Sequence, residues 1–131
     1  DNLIKVYDPD TWRPYCHVKD FSRAIHKVII SPQVLTANQV YNVGDDKNNF
    51  SKRKMAEIVK SFTGGEVRYL SISKDKRDYR VSFKKLNKIL KFKCKYNLDY
   101  GIKEMIANLK HKNNIKLKSL LTLGNFKIKY K

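Results

Sequence analysis

Apolar residues recur at helical spacing in four stretches of this chain, separated by short runs with strand character. After Asp20, the residues Phe21, Ala24, Ile25, Val28 and Ile29 fall on one helical face until Pro32 ends the run, and Asp20 stands where an N-cap is needed. Ser51 is placed to cap a second helix with a stripe of Met55, Ile58, Val59 and Phe62, closed by Gly64-Gly65. Its first turn, Lys52-Arg53-Lys54, opposes the helix dipole, so packing must hold it. Ser82 opens a third, carrying Phe83, Leu86, Ile89 and Leu90, and Asp99 a fourth, carrying Ile102, Met105, Ile106 and Leu109. Residues 14–18, 40–44 and 66–72 are rich in β-formers and bounded by turn residues, which predicts strands. Residues 110–114 read as a polar linker, and the tail beyond as a helical turn near 117–121 and a strand over 125–130. Strands interleaved with about four helices predict an α/β class with α+β character.

Composition narrows this. The 131 residues make one domain, and a hydrophobic share of 41% with a mean hydropathy of −0.60 describes a folded protein able to bury a core. No apolar run approaches the ~18–20 residues of a membrane span, and the N-terminal stretch lacks a signal-peptide pattern. Two cysteines, Cys16 and Cys94, supply neither a disulfide framework nor a zinc knuckle, so a reducing cytoplasm is expected. Beginning on Asp1, the chain is expected to be a piece of a longer protein.

A formal charge of +17 raises the question of nucleic acid. The excess comes from 23 Lys and only six Arg, alongside 11 Asn and 11 Ile, a composition that fits an A/T-rich genome. Nucleic-acid surfaces draw more on the forked guanidinium of Arg. Residues 74–131 hold net +14 of the total, which reads as a solvated basic face. A nucleic-acid-binding or protein-interaction module, with the basic tail docking a partner, is the alternative function.

Three motifs and a helix start resemble one family. They are Arg13-Pro14-Tyr15-Cys16-His17-Val18-Lys19-Asp20, then Val40-Tyr41-Asn42-Val43-Gly44, then Arg77-Asp78-Tyr79-Arg80-Val81-Ser82, followed by Lys85, Leu86, Leu90 and Phe92. Leu98-Asp99-Tyr100-Gly101-Ile102 follows in the same order. Together they resemble the substrate-side, C-terminal portion of the extended short-chain dehydrogenase/reductases, in the nucleotide-sugar epimerase/dehydratase branch. Lys91 departs from the pattern, standing where a glycine is usual. The resemblance covers residues 10–110 and leaves 111–131 as a basic tail outside it.

The resemblance implies a parent enzyme that binds NAD or NADP in an N-terminal Rossmann domain and an NDP-sugar across the cleft. It also allows a homodimer of that parent, and it involves neither nucleic acid nor membrane. This chain contains no G-x-x-G-x-x-G turn and no catalytic Tyr-x-x-x-Lys on a suitable element, so it is expected to bind no cofactor and to be inactive alone. By the same resemblance Arg13 points at the substrate diphosphate, and Arg77 holds a phosphate or the ribose. Arg80 joins them as a substrate-binding residue, with Lys74 and Lys76 competing for the assignment. Guanidinium suits this work because it forms charge-assisted forked bonds to phosphate oxygens. His17, Asp20 and Asn42 are expected to serve the fold, the aromatics Tyr7, Trp12, Tyr15 and Tyr41 to pack, and no metal ligand set is seen.

Overall fold

A computed structural model describes residues 3–71 and 77–112, with side chains from 110 onward left aside. Four short strands and five helices occur among them: β1 (Leu3–Tyr7), β2 (Trp12–Pro14), α1 (Val18–Ile29), α2 (Gln33–Thr36), β3 (Asn49–Ser51), α3 (Lys52–Thr63), β4 (Glu66–Leu70), α4 (Lys84–Leu90) and α5 (Leu98–Lys112). The class is mixed α/β, as the pattern predicts. β1 pairs with β4 in parallel, Leu3 opposite Glu66 and Tyr7 opposite Leu70. The crossover that a parallel pair requires runs through α3, which packs across both strands. β2 pairs with β3 antiparallel, Arg13 opposite Phe50 and Pro14 opposite Asn49.

The second helix follows its sequence signals closely. Ser51 Oγ accepts the Lys54 N–H at 3.2 Å, and Gly64 closes the helix at φ 71°, the left-handed conformation glycine adopts without strain. The other helix starts shift. α1 begins at Val18, capped by His17 Nδ1, which accepts the Lys19 N–H at 3.1 Å. Asp20, expected as that cap, lies within the first turn and is fully buried. Asn97, not Asp99, holds the start of α5 through a 2.9 Å bond from the Tyr100 N–H. α4 starts at Lys84, with Phe83 rather than Ser82 at the cap position. It ends at Lys91, whose φ of 52° puts a lysine in the left-handed conformation.

The core gathers Ala24 of α1, Leu86 and Leu90 of α4, and Phe92, with Val28, Tyr41, Val43, Ile89 and Cys94 packed around them. Gly44 is required there by close approach: a Cβ at that position would sit 2.6 Å from the Phe83 ring. Two strand expectations are corrected. The run expected over 14–18 is a strand only from Trp12 to Pro14, because the chain turns into α1 at Val18. Residues 40–44 are no strand, although their burial alternates, Tyr41 and Val43 inward and Val40 and Asn42 outward. Among the described residues no strand lies beside them to pair with. α5 continues through Lys112 into the expected linker, and the elements expected over 115–131 lie outside the described residues.

Candidate functional site

Trp12 and Arg13 lie on β2, and the segment 77–83 runs beside them without joining a sheet. Side chains hold it there. Asp78 Oδ1 accepts the Trp12 N–H at 2.7 Å, and the Trp12 carbonyl accepts the Tyr79 N–H at 3.4 Å. Asn49, opposite Pro14 on β3, clasps Val81 at both backbone groups: Oδ1 accepts its N–H at 2.9 Å and Nδ2 donates to its carbonyl at 3.0 Å. Further along, Asp46 Oδ1 accepts the Phe83 N–H at 2.9 Å, and Asn42 Nδ2 donates to the Ser82 carbonyl at 3.3 Å. Short Asx side chains thus stand in for a β-ladder.

This strap carries Arg77 and Arg80, two of the arginines expected at the site, and lies beside the third, Arg13. Arg13 Nη1 donates to the Trp12 carbonyl at 2.7 Å and also to the Arg77 carbonyl. Its guanidinium carbon lies 5.4 Å from the Tyr79 ring centre, and that of Arg80 lies 4.1 Å from the Trp12 ring. Arg13 and Arg80 therefore each lie against an aromatic face across β2 and the strap. Arg77 and Arg80 are exposed and Arg13 half-buried. Asp78 is the acidic residue within this group, and its carboxylate is engaged by the Trp12 N–H. Burial pushes the Tyr15 phenol upward while the Arg13 charge pulls it the other way. The edge is a concentrated, exposed positive surface suited to an oxyanion. Lys74 and Lys76, the competing basic residues, lie outside the described residues. The clefts of about 510 and 370 Å³ elsewhere on the surface are lined by none of the three arginines.

His17, Asp20 and Asn42 sit in bonding networks, as residues of the fold. The Asp20 carboxylate accepts the Lys95 N–H at 3.0 Å and the Tyr96 N–H at 2.9 Å, and it pairs with Arg23. Burial alone would raise its pKa, but these bonds together hold it below the usual carboxylate range. With Nδ1 accepting the Lys19 N–H, His17 presents Nε2–H to Glu104 Oε2 at 3.0 Å, tying α1 to α5. The Lys19 bond, with His17 adding to it, keeps the Glu104 carboxyl below its ordinary value against some desolvation. Tyr96 and Tyr100 pack on the His17 ring at 4.9 and 5.6 Å between centres. Both ring nitrogens are thus committed, which suits a clamp rather than a proton shuttle. Sequence reasoning missed Glu104, Lys19 and Tyr100 because their meeting depends on tertiary placement 81 to 87 positions apart. Burial raises the thiol of Cys16 and, with the Asp20 charge, that of Cys94 to about 12, so both are thiols at neutral pH and poor nucleophiles. Among the described residues no group of three or more His, Cys, Asp or Glu side chains can hold a metal ion, and no helix is long and apolar enough to cross a membrane.

Known structures share this fold. L-Threonine dehydrogenase from Clostridium difficile matches it at a TM-score of 0.70 and 19% identity, over 86% of this chain and 37% of its own. A short-chain dehydrogenase/reductase superfamily protein from Agrobacterium tumefaciens with bound NAD matches at 0.69 and 14% identity, over 87% and 35%. The fold is that of part of a short-chain dehydrogenase/reductase. MoeE5, in complex with UDP-glucuronic acid and NAD, is similar at a TM-score of 0.55 and 22% identity, over 76% and 34%. The chain spans between 32% and 40% of the length of the structures it resembles. No family model matches it. Dinucleotides in this fold rest on a glycine-rich turn between a strand and a helix N-terminus. Here Gly44 packs beneath Phe83, Gly64 ends α3, Gly65 leads into β4, and Gly101 lies within α5 against His17. None of these four lies in a glycine-rich turn between a strand and a helix N-terminus.

Proposed function

We propose that this chain is the substrate-side part of an NAD(P)-dependent nucleotide-sugar epimerase or dehydratase, and that Arg13, Arg77 and Arg80 bind the diphosphate of its substrate. The observation that carries this reading is the arginine edge: side chains pin the strap that bears Arg77 and Arg80 against β2, where Arg13 donates to the Arg77 carbonyl and Arg80 stacks on Trp12. It is supported by the fold, and by the UDP-sugar and NAD named for MoeE5. The dinucleotide belongs to the remainder of the longer enzyme, where it supplies transient oxidation of the sugar and return of the hydride. This chain's residues orient the substrate. Binding energy from the diphosphate, remote from the reacting carbon, holds the sugar in register for that chemistry. The domain is residues 1–110, with 111–131 as an appended basic tail. A small amino-acid substrate, as the threonine dehydrogenase name would invite, offers a single carboxylate, less negative charge than a diphosphate.

Calorimetry on the longer enzyme tests this. Changing Arg13 to Ala should weaken UDP-sugar binding by about 1.5–3 kcal/mol, the range for hydrogen bonds to charged groups, with NAD affinity unchanged. Arg13→Lys should recover only part, since an ammonium keeps the charge but not the fork. Equal UDP-sugar affinity in wild type and Arg13→Ala removes Arg13 from the site.

A further inference from the structure

From Tyr79 to Leu98 the chain carries seven cations and no acid: Arg80, then Lys84, Lys85, Lys88, Lys91, Lys93 and Lys95. Folding sorts them from their apolar neighbours. Leu86 and Leu90 of α4 and Phe92 just beyond it are buried, while all six lysines are exposed. Lys85 donates to the Val40 carbonyl, and the other five form no ion pair among the described residues. Lys91 holds the left-handed conformation at φ 52°, where a glycine would sit without strain and without charge. Its cation is kept at a conformational cost. Phe92 lines two open clefts. One, of about 510 Å³, is lined by Lys84, Lys88 and Lys93, together with Asp45 and Asp46, whose carboxylates accept the Lys47 and Phe83 N–H groups. The other, of about 440 Å³, continues the charge onto α1 through His26, Lys27 and Arg23, the last paired with Asp20.

We propose that this lysine face seats the protein on an anionic lipid surface. Three observations favour lipid. Ammonium groups on flexible stems act as point charges that suit a diffuse layer of anionic headgroups, whereas the guanidinium fork grips single phosphates. The ring amid the lysines, Phe92, is 6% exposed and lies 5.2 Å from the Arg23 guanidinium, so it offers no open face to a nucleobase. The charge also continues beyond α5 in the sequence: residues 110–131 carry seven lysines and no acid, interleaved with Leu117, Leu121, Phe126, Ile128 and Tyr130. Apolar residues set among cations let a segment enter a headgroup layer, and stable attachment takes two such signals together. Attachment of this kind is peripheral and needs no spanning helix. The family resemblance implies no membrane; these lysines are the chain's own, Lys91 among them.

The test is co-sedimentation of the 131-residue chain with vesicles of phosphatidylcholine alone and of phosphatidylcholine mixed with phosphatidylserine. The chain should bind only the mixed vesicles, and more weakly at high salt. Lys84→Glu/Lys88→Glu/Lys93→Glu should weaken that binding at least about tenfold while keeping the circular dichroism of the parent. Lys84→Gln/Lys88→Gln/Lys93→Gln, which removes charge without reversing it, should shift binding in the same direction and gives a reading even where the Glu variant fails to fold. Lys5→Glu/Lys54→Glu/Lys60→Glu reverses as many exposed charges on β1 and α3, and should weaken binding by less than about threefold. Equal losses in the two Glu variants, equal binding to both kinds of vesicle, or unchanged affinity in the Gln variant would overturn the proposal. Tighter binding of single-stranded DNA or of polyglutamate than of the mixed vesicles, lost in the Lys84 variants, would overturn it in favour of nucleic acid or an acidic protein.

Discussion

The arginine edge and the outer face of α1 are both exposed, yet they are finished in opposite ways. At the edge, Asp78, Asn49 and Asp46 each complete a backbone bond across to another segment, and Arg13 and Arg80 each rest against a ring. On α1, Val18 and Ile29 stand 75% and 74% exposed with nothing of their own kind over them. Polar satisfaction is complete on one side and apolar burial incomplete on the other. An anchored polar surface can meet a small solute as it stands, because its donors are already held in place. An open apolar stripe is a surface waiting for protein.

Substitutions should separate the two regions, beginning with the buried carboxylate that anchors α1. Asp20→Ala leaves the Lys95 and Tyr96 amides and Arg23 without their acceptor, and should cost about 3–5 kcal/mol in urea unfolding. The same carboxylate sets the acid limb. Its folded pKa is lowered, so its stabilisation is complete above the unfolded value of about 3.9 and is lost as pH falls through the folded value. Asp20→Asn should flatten that loss, as measured by melting temperature against pH. At the edge, Asn49→Leu strips Val81 of both bonds, and should cost about 1–3 kcal/mol and speed exchange of the Val81 amide while leaving α1 unaffected. Lys91→Gly should stabilise the chain by about 0.5–1 kcal/mol by relieving a left-handed lysine, seen as a higher urea midpoint. The smallest effect belongs to the open face: Phe21→Glu or Ile25→Glu should change stability by no more than about 0.5 kcal/mol.

What the sequence made legible follows the same division. The second helix was readable to its caps because Ser51 and Gly64 act on residues three and four positions away. The caps of α1 and α5 were misplaced because His17 and Asn97 also offer local acceptors beside Asp20 and Asp99, and at α1 Asp20 is instead taken up by the Lys95–Tyr96 backbone. β1 was overlooked, since Leu3–Tyr7 alternates too briefly to stand out and gains its meaning from β4, over sixty positions later. The run at 40–44 has the residues of a strand, but a strand also needs a neighbour. The three arginines were singled out by the family resemblance alone; the Asn49 and Asp78 clasps that hold the strap were not foreseen, because asparagine and aspartate in loops carry no signature of a distant partner.

The most direct test of the account is a titration of the ¹⁵N-labelled 131-residue chain with UDP, following backbone and arginine side-chain resonances. The account predicts weak, saturable shifts at Arg13, Arg77, Arg80 and the Asn49–Val81 clasp, with Phe21, Ile25 and Val40 unmoved. Shifts concentrated on the α1 face, or an arginine edge indifferent to UDP, would contradict it.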